Sequence, residues 1–361
     1  MKITKVKVTP ISIPRGKVLT TSYGRRDTSD TVIVEVFTDD GIVGIGQTSV
    51  DAPYYGESME GIVTNLEHYF VPAVIGEDPM NIEYLNAKFQ STLFGHLASQ
   101  AAIEMALWDI KGKALGVPLY QLLGGRVRDG MNIMGFLPRD NTQSMIAEVE
   151  QLLAHVPYPV LKMKIGINRE EDLAQYRAIR EAVADRALIQ VDGNKGYSIS
   201  EAIPILSEIE AIGGLGAIEQ PVAAVGDLRE LARRVSVPVM VDESIYTIAD
   251  AVEVVRRRAA SMALMKITKH GGILTVQKIA SVFEAAGLRL SVAGYFDLIA
   301  AAGAHLAAAL PVIEWPSPVT PLQDTILTEP FVPDGIVLRP PEKPGLGVEF
   351  DPEKVEYYRV G

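Results

Sequence analysis

Apolar and polar residues alternate through "KITKVKVTPI" and "TVIVEVFTDDG", the period of two that a strand with one covered face requires. Asp39, Asp40 and Gly41 mark the turn that ends the second run. The period then lengthens. "SMEGIVTNLEHYFVPAVIG" and "SQAAIEMALWDIKGKALG" repeat their apolar residues at helical spacing, the second stopping at Gly116 and Pro118 as a helix does. These elements predict an α+β unit over residues 1–125. Over residues 126–325 short apolar runs alternate with helical segments such as "NREEDLAQYRAIREAV", "SISEAIPILSEIEAI", "DLRELARRV" and "TIADAVEVVRRR". The expected strand ends fall at Lys164, Asp192, Glu219, Asp242, Lys266 and Asp297, about 23 to 31 residues apart, the length of a strand, a helix and two loops. So many such units in a row predict a parallel sheet with helical crossovers, closed into a (β/α) barrel rather than left open. The last segment, 326–361, returns to strand and turn character and is expected to pack back on the N-terminal unit.

One strand carries an anomaly. In "VLKMKIG" Lys162 and Lys164 interrupt a run that otherwise reads as buried, and because side chains alternate along a strand both ammonium groups point the same way. Lys5 and Lys7 repeat the pattern in "ITKVKV", where a solvated strand face accounts for them.

Composition narrows the chemistry. With 361 residues, 48% of them hydrophobic, the chain can bury a large core. Its 45 acidic and 34 basic residues give a net charge of -11 without a basic cluster, so no nucleic-acid partner is expected. The absence of cysteine excludes disulfides, thiolate metal sites and cysteine nucleophiles. The N-terminus alternates like a strand, unlike a signal peptide, and the Ala-rich "AAAGAHLAAALPVI" is broken by His305 and Pro311. A cytoplasmic homo-oligomer with no membrane partner is expected.

The strand ends carry the chemistry. "LIQVDGN" ends on Asp192, "GAIEQP" on Glu219 and "VMVDES" on Asp242. In a parallel barrel these ends share one rim, where active sites of that fold are found. Each acid alone could cap the helix that follows it. Three on consecutive strands repel one another unless a cation sits among them, and an all-oxygen donor set selects Mg²⁺ or Mn²⁺. Lys164 lies one strand before the acids and Lys266 one strand after, so the two face each other across the rim, a geometry suited to proton transfer on opposite faces of a carbon.

"KMK" at 162–164, "VDGN" at 191–194, "IEQP" at 218–221, "VDES" at 241–244 and "KITKHGG" at 266–272 resemble, in order and spacing, the muconate-lactonizing subgroup of the enolase superfamily. The likeness extends through "GIVGIG", "AAIEMALWDIKGKALGVPLYQLLGGRVRD" and "KPGLGVEFD" to nearly the whole chain. It implies a modified (β/α)8 TIM barrel under an N-terminal α+β capping domain, with Mg²⁺ or Mn²⁺ on Asp192, Glu219 and Asp242. It implies Lys164 and Lys266 as the acid/base pair, with Lys162 beside the substrate carboxylate. The shared step is enolate formation next to a carboxylate, and Lys164 is expected to have its pKa lowered by the neighbouring ammonium and the cation. Asn194 and Ser244 are expected to orient these groups. Asp297, in "AGYFD", is read as a rim residue near Lys266. Gln47 stands where such proteins commonly carry Glu. The loops "RGKVLTTSYGRRDTSD" and "VDAPYYGES" should set specificity: Lys17, Arg25 and Arg26 offer cations to a second carboxylate, and Tyr54 or Tyr55 closes the pocket. The dipeptide-epimerase pattern, an Asp-x-Asp pair on the last barrel strand, is replaced by Glu314, Trp315 and Pro316. The expected substrate is therefore a small carboxylate, first a muconate-like dicarboxylate undergoing cycloisomerisation, second an amino-acid derivative undergoing racemisation, epimerisation or dehydration. A catalytically silent binding barrel is the remaining alternative.

Overall fold

A computed structural model of the chain describes residues 1–320 and 322–361. Its N-terminal part is an antiparallel sheet of β1 (Ile3–Thr21), β2 (Gly24–Thr38) and β3 (Val43–Ser49), followed by helices α1 (Ala52–Tyr55), α2 (Met59–Asn65), α3 (Val71–Val74), α4 (Ile82–Thr92), α5 (Leu97–Leu115) and α6 (Leu119–Leu122). The segment read from sequence as a specificity loop is instead a continuation of the β1–β2 hairpin. Pairing runs to Thr21 and Gly24, with an irregularity between Pro14 and Leu19. Unmet backbone groups on two adjacent arms pair with each other even where the side chains carry no apolar alternation.

Helix α5 explains how this domain is anchored. Fourteen of its residues are buried, and its exposed residues, Ala114 and Leu115, lie at its end. The sheet lies directly on it: a Cβ on Gly46 would stand 2.0 Å from the Ala102 carbonyl oxygen. Its two buried acids bind backbone rather than solvent. Asp109 accepts from Ile45 N at 3.0 Å and Leu346 N at 2.8 Å, tying sheet, helix and C-terminal segment together. Glu104 accepts from Ile273 N at 2.7 Å and Leu274 N at 2.9 Å, the orphan donors that open a barrel helix.

The barrel alternates β4 (Met131–Leu137), α7 (Thr142–His155), β5 (Val160–Lys164), α8 (Arg169–Val183), β6 (Leu188–Asp192), α9 (Ile199–Ile212), β7 (Leu215–Glu219), α10 (Val225–Ala232), β8 (Val239–Val241), α11 (Ile248–Arg257), β9 (Met262–Met265), α12 (Ile273–Ala285), β10 (Arg289–Val292), α13 (Asp297–Ala309) and β11 (Ser317–Pro318). Strands β4 to β10 are parallel neighbours in sequence order and β11 lies beside β4. A parallel bridge between Leu290 and Ile313 brings the far edge round, giving a nearly closed eight-stranded barrel. Strand β12 (Val337–Leu338) runs antiparallel to β4, and α14 (Pro352–Tyr357) ends the chain. The C-terminal segment meets the capping sheet, where Ile326 and Val355 pack with Ile11, Ile13 and Ile33. Among the described residues no helix is long and apolar enough to cross a membrane.

Candidate active site

The strand ends and the residues just after them converge on the barrel mouth. Lys164, Asp192 and Glu219 close β5, β6 and β7, while Asp242 and Lys266 directly follow β8 and β9. β5 and β9 are four strands apart in an eight-stranded barrel, so Lys164 and Lys266 stand on opposite walls. A cavity of about 620 Å³ under the capping domain is lined by Lys162, Lys164, Asp192, Asn194 and Lys266 from the barrel and by residues of the β1–β2 hairpin and α1. The two strand lysines that alternation places on one face are both buried, whereas Lys5 and Lys7 are exposed.

The charges interlock. Lys162 donates to Glu219 Oε2 at 2.6 Å and lies 2.9 Å from Asp192 Oδ2. Lys164 donates to the same Asp192 oxygen at 2.6 Å and to Asn194 Oδ1 at 2.7 Å. Lys266 donates to Asp242 Oδ2 at 2.6 Å and to the Tyr54 hydroxyl. The fully buried Lys269 uses all three protons, on Asp242 Oδ1 at 2.7 Å, Asp242 O at 2.6 Å and Leu264 O at 3.1 Å.

These pairings decide the proton affinities. Burial alone would push the carboxyl of Asp192 up, but Lys162 and Lys164 outweigh it and hold it well below the usual range. Asp242 is likewise held down against its burial by Lys266 and Lys269. Burial, with repulsion from Asp192, pushes Glu219 up to about 8. Burial would lower the ammonium of Lys162, yet Asp192 and Glu219 raise it above its ordinary value; for Lys266 Asp242 does the same. Lys162 and Lys164 meet through a shared oxygen of Asp192.

No three acidic or histidine side chains among the described residues are already gathered as a metal cage. At least one oxygen of each of Asp192, Glu219 and Asp242 accepts from a lysine. In kind, the donor set still fits a hard divalent cation: it is all oxygen, and Glu219 Oε1 is buried with no hydrogen-bond donor.

The supporting residues act as their positions demand. Asn194, with φ at 40°, bridges Lys164 and Glu243. The preceding Gly193 crosses so close to Pro221 that a Cβ would stand 2.6 Å from its Cα. Ser244 Oγ accepts from Gln220, whose own oxygen accepts from Asp242 N at 2.8 Å. Gln190 donates to Glu219 and is itself held by Trp315 Nε1 at 2.6 Å, which gives the "EWP" stretch a structural task.

The capping residues divide. Tyr54 and Tyr55 line the cavity, and Lys266 Nζ is 3.8 Å from the Tyr54 ring centre. Arg26 lines it too, but both terminal nitrogens bind Asp51, whose Oδ1 also caps α1 through Tyr54 N at 3.2 Å. Arg26 therefore fixes the helix that carries Tyr54. Arg25 is exposed at the rim of the cavity. Lys17 does not line it; its side chain reaches Glu148 of α7 at 2.5 Å. Asp297 also faces elsewhere. It begins α13 rather than ending β10, accepts from Thr325 Oγ1 at 2.5 Å, and is raised by burial to about 6. The loop between β10 and α13 places Tyr295 and Phe296 on the cavity wall instead. Gln47 accepts from Leu298 N at 3.0 Å, a contact within the capping joint.

Sequence reasoning passed over Arg15, Tyr23, Glu243 and Tyr295. Glu243 carried a signal, a second acid directly after Asp242 in "VDES"; its Oε1 accepts from Tyr23 OH at 3.1 Å and Asn194 Nδ2 at 3.0 Å. Arg15 carried none, since an arginine in a hairpin arm looks like any solvated charge.

Residues 3–124 match the family described as Mandelate racemase / muconate lactonizing enzyme, N-terminal domain, and residues 144–355 match Enolase C-terminal domain-like. An N-succinyl-L-Arg/Lys racemase of Bacillus cereus is 32% identical over 366 residues, covering 100% of this chain and 98% of that protein. Muconate cycloisomerase 1-1 of Acinetobacter lwoffii is 34% identical over 362 residues, covering 97% of this chain and 93% of that protein. The crystal structure of muconate lactonizing enzyme from Pseudomonas fluorescens, complexed with muconolactone, superimposes with a TM-score of 0.95 at 30% identity, covering 99% of each chain. With family matches over both parts of the chain, the protein belongs to the enolase superfamily, in its muconate-lactonizing group of isomerase-type enzymes.

Proposed function

We propose that this enzyme moves a proton on the carbon next to a substrate carboxylate, using Lys164 and Lys266, and that its substrate is a muconate-like dicarboxylate converted by cycloisomerisation. The observation that carries the reading is the pair of lysines on opposite walls of one cavity, each against an acid of the same rim. Enzymes of this family use a divalent metal ion. Asp192, Glu219 and Asp242 would hold it, and it supplies positive charge against the negative charge that develops on the substrate carboxylate.

The chain's own groups do the rest. An ammonium cannot accept a proton, so a lysine acts as base only after its paired carboxylate is engaged elsewhere; Lys164 depends in this way on Asp192, and Lys266 on Asp242. One lysine then takes or returns the proton and the other works on the opposite face. Lys162, between Asp192 and Glu219, provides fixed positive charge beside the carboxylate. Tyr54 roofs Lys266 and excludes water from it.

A second reading, racemisation of an N-acyl amino acid, is favoured by the cavity's size. About 620 Å³ lies within the range that takes ligands larger than a six-carbon diacid. Both readings are separated by incubating the full chain with Mg²⁺ in deuterated water and cis,cis-muconate, N-succinyl amino acids or dipeptides, followed by NMR. Lactone from muconate is the expected result. Deuterium at the α-carbon of an N-succinyl amino acid, with muconate untouched, overturns the cycloisomerase reading, and exchange in no carboxylate overturns the proton-transfer reading itself.

A further inference from the structure

The capping hairpin sends four cations toward the barrel mouth, and their surroundings separate them. Lys17 is drawn off to Glu148, both terminal nitrogens of Arg26 are taken by Asp51, and Arg25 is exposed. Arg15 is different. It is partly buried on the cavity wall, and its side chain makes one hydrogen bond among the described residues, from Nε to Thr28 O at 3.0 Å. No carboxylate among those residues lies within ion-pair distance of it, so the fork of two terminal nitrogens has no partner there.

The backbone holds Arg15 in place. The bulge between Pro14 and Leu19 re-aims this stretch of β1, and the C-terminal segment pins it, with Gln323 N on Pro14 O at 3.1 Å and a bridge between Arg15 and Leu322. Tyr295 lines the same cavity. The Tyr295 ring centre is 5.8 Å from Lys266 Nζ. Arg15, Lys164 and Lys266 all line this one cavity. Burial and the adjacent Arg26 disfavour the Arg15 charge, Asp51 and Asp30 offset this in part from beyond ion-pair distance, and the guanidinium in any case does not deprotonate in proteins. A partly desolvated cation with a free fork is complementary to a carboxylate, which it binds through two parallel charge-assisted bonds.

We propose that Arg15 is the receptor for a distal carboxylate, so that the cavity selects dianions whose second carboxylate lies several atoms from the one at the lysines. The proposal rests on the reading of the lysine site as one that handles carboxylates. It covers a muconate-like diacid and an N-succinyl amino acid alike, since both carry a distal carboxylate. It disfavours a ligand that brings an ammonium group to Arg15.

The test compares adipate with hexanoate, two six-carbon acids that differ by one carboxylate, in calorimetric titrations of the full chain with Mg²⁺. The native protein is expected to bind adipate at least about tenfold more tightly, the scale of a charge-assisted fork. In Arg15→Met that preference should fall to within about twofold while hexanoate affinity is unchanged, and Lys17→Met should keep the native ratio. Arg15→Gln gives the same reading should the Met variant fail to fold. A native protein without the preference, an Arg15→Met or Arg15→Gln variant that retains it, or its loss in Arg25→Met with Arg15→Met intact, each overturns the proposal. Because the titration involves no turnover, failure of muconate to lactonise leaves its outcome untouched.

Discussion

Replacing Lys269 by Met should destabilise the protein through Asp242. Both side chains are wholly buried, and the Lys269 ammonium reaches one carboxylate oxygen and two backbone carbonyls. Methionine fills most of the stem's volume, so the loss is electrostatic rather than a cavity. Removing one partner of a buried ion pair costs about 3–5 kcal/mol. Lys266 remains on the other Asp242 oxygen, which places the loss near the lower end, roughly 3 kcal/mol. With an unfolding entropy of about 2.1 cal/mol/K per residue over 361 residues, this corresponds to a fall of roughly 4 °C in Tm. Urea unfolding and calorimetry of Lys269→Met, Asp242→Asn and the double variant measure it. The cycle should show a coupling of at least about 2 kcal/mol, because the second substitution removes the charge the first one stranded. A single-variant loss below about 0.5 kcal/mol, or strictly additive losses, would refute the argument that Lys269 is the fixed counter-charge of Asp242.

Lys164→Ala and Lys266→Ala should each lower solvent exchange at the substrate carbon about 10²- to 10⁴-fold with little change in substrate binding, while Lys5→Ala leaves it unchanged; NMR in deuterated water reads all three. Gly46→Ala should cost about 2 kcal/mol or more in urea unfolding, since its Cβ meets the Ala102 carbonyl oxygen at 2.0 Å and both partners are backbone. His305 is held by burial at about 4, below its ordinary 6.5, so the unfolded chain binds a proton there before the folded one does. Its contribution is complete above pH 6.5 and is lost as pH falls toward 4: wild-type stability should drop by roughly 3 kcal/mol more than that of His305→Asn over this window, followed by urea unfolding at stepped pH.

What the sequence determined by itself was the order of the parts and the identity of the rim. A period of two placed Lys162 and Lys164 on one face, the recurrence of strand and helix made a parallel barrel, and the acids at or just after the strand ends then had to share its mouth. These follow from backbone geometry, which acts over a few residues and is written locally. The partnerships among the charges were not written there. Lys17 and Arg15 stand two positions apart in the same hairpin, yet one meets Glu148 and the other faces the cavity, because a bulge and a segment more than 300 residues away turn the strand between them. Asp297 follows an apolar strand as the metal-site candidates do, but four intervening residues and the capping joint carry it toward Thr325. Whether a charge serves the site or the scaffold depends on which oppositely charged or polar group the fold brings within about 3 Å, and that distance is set by tertiary packing rather than by spacing along the chain.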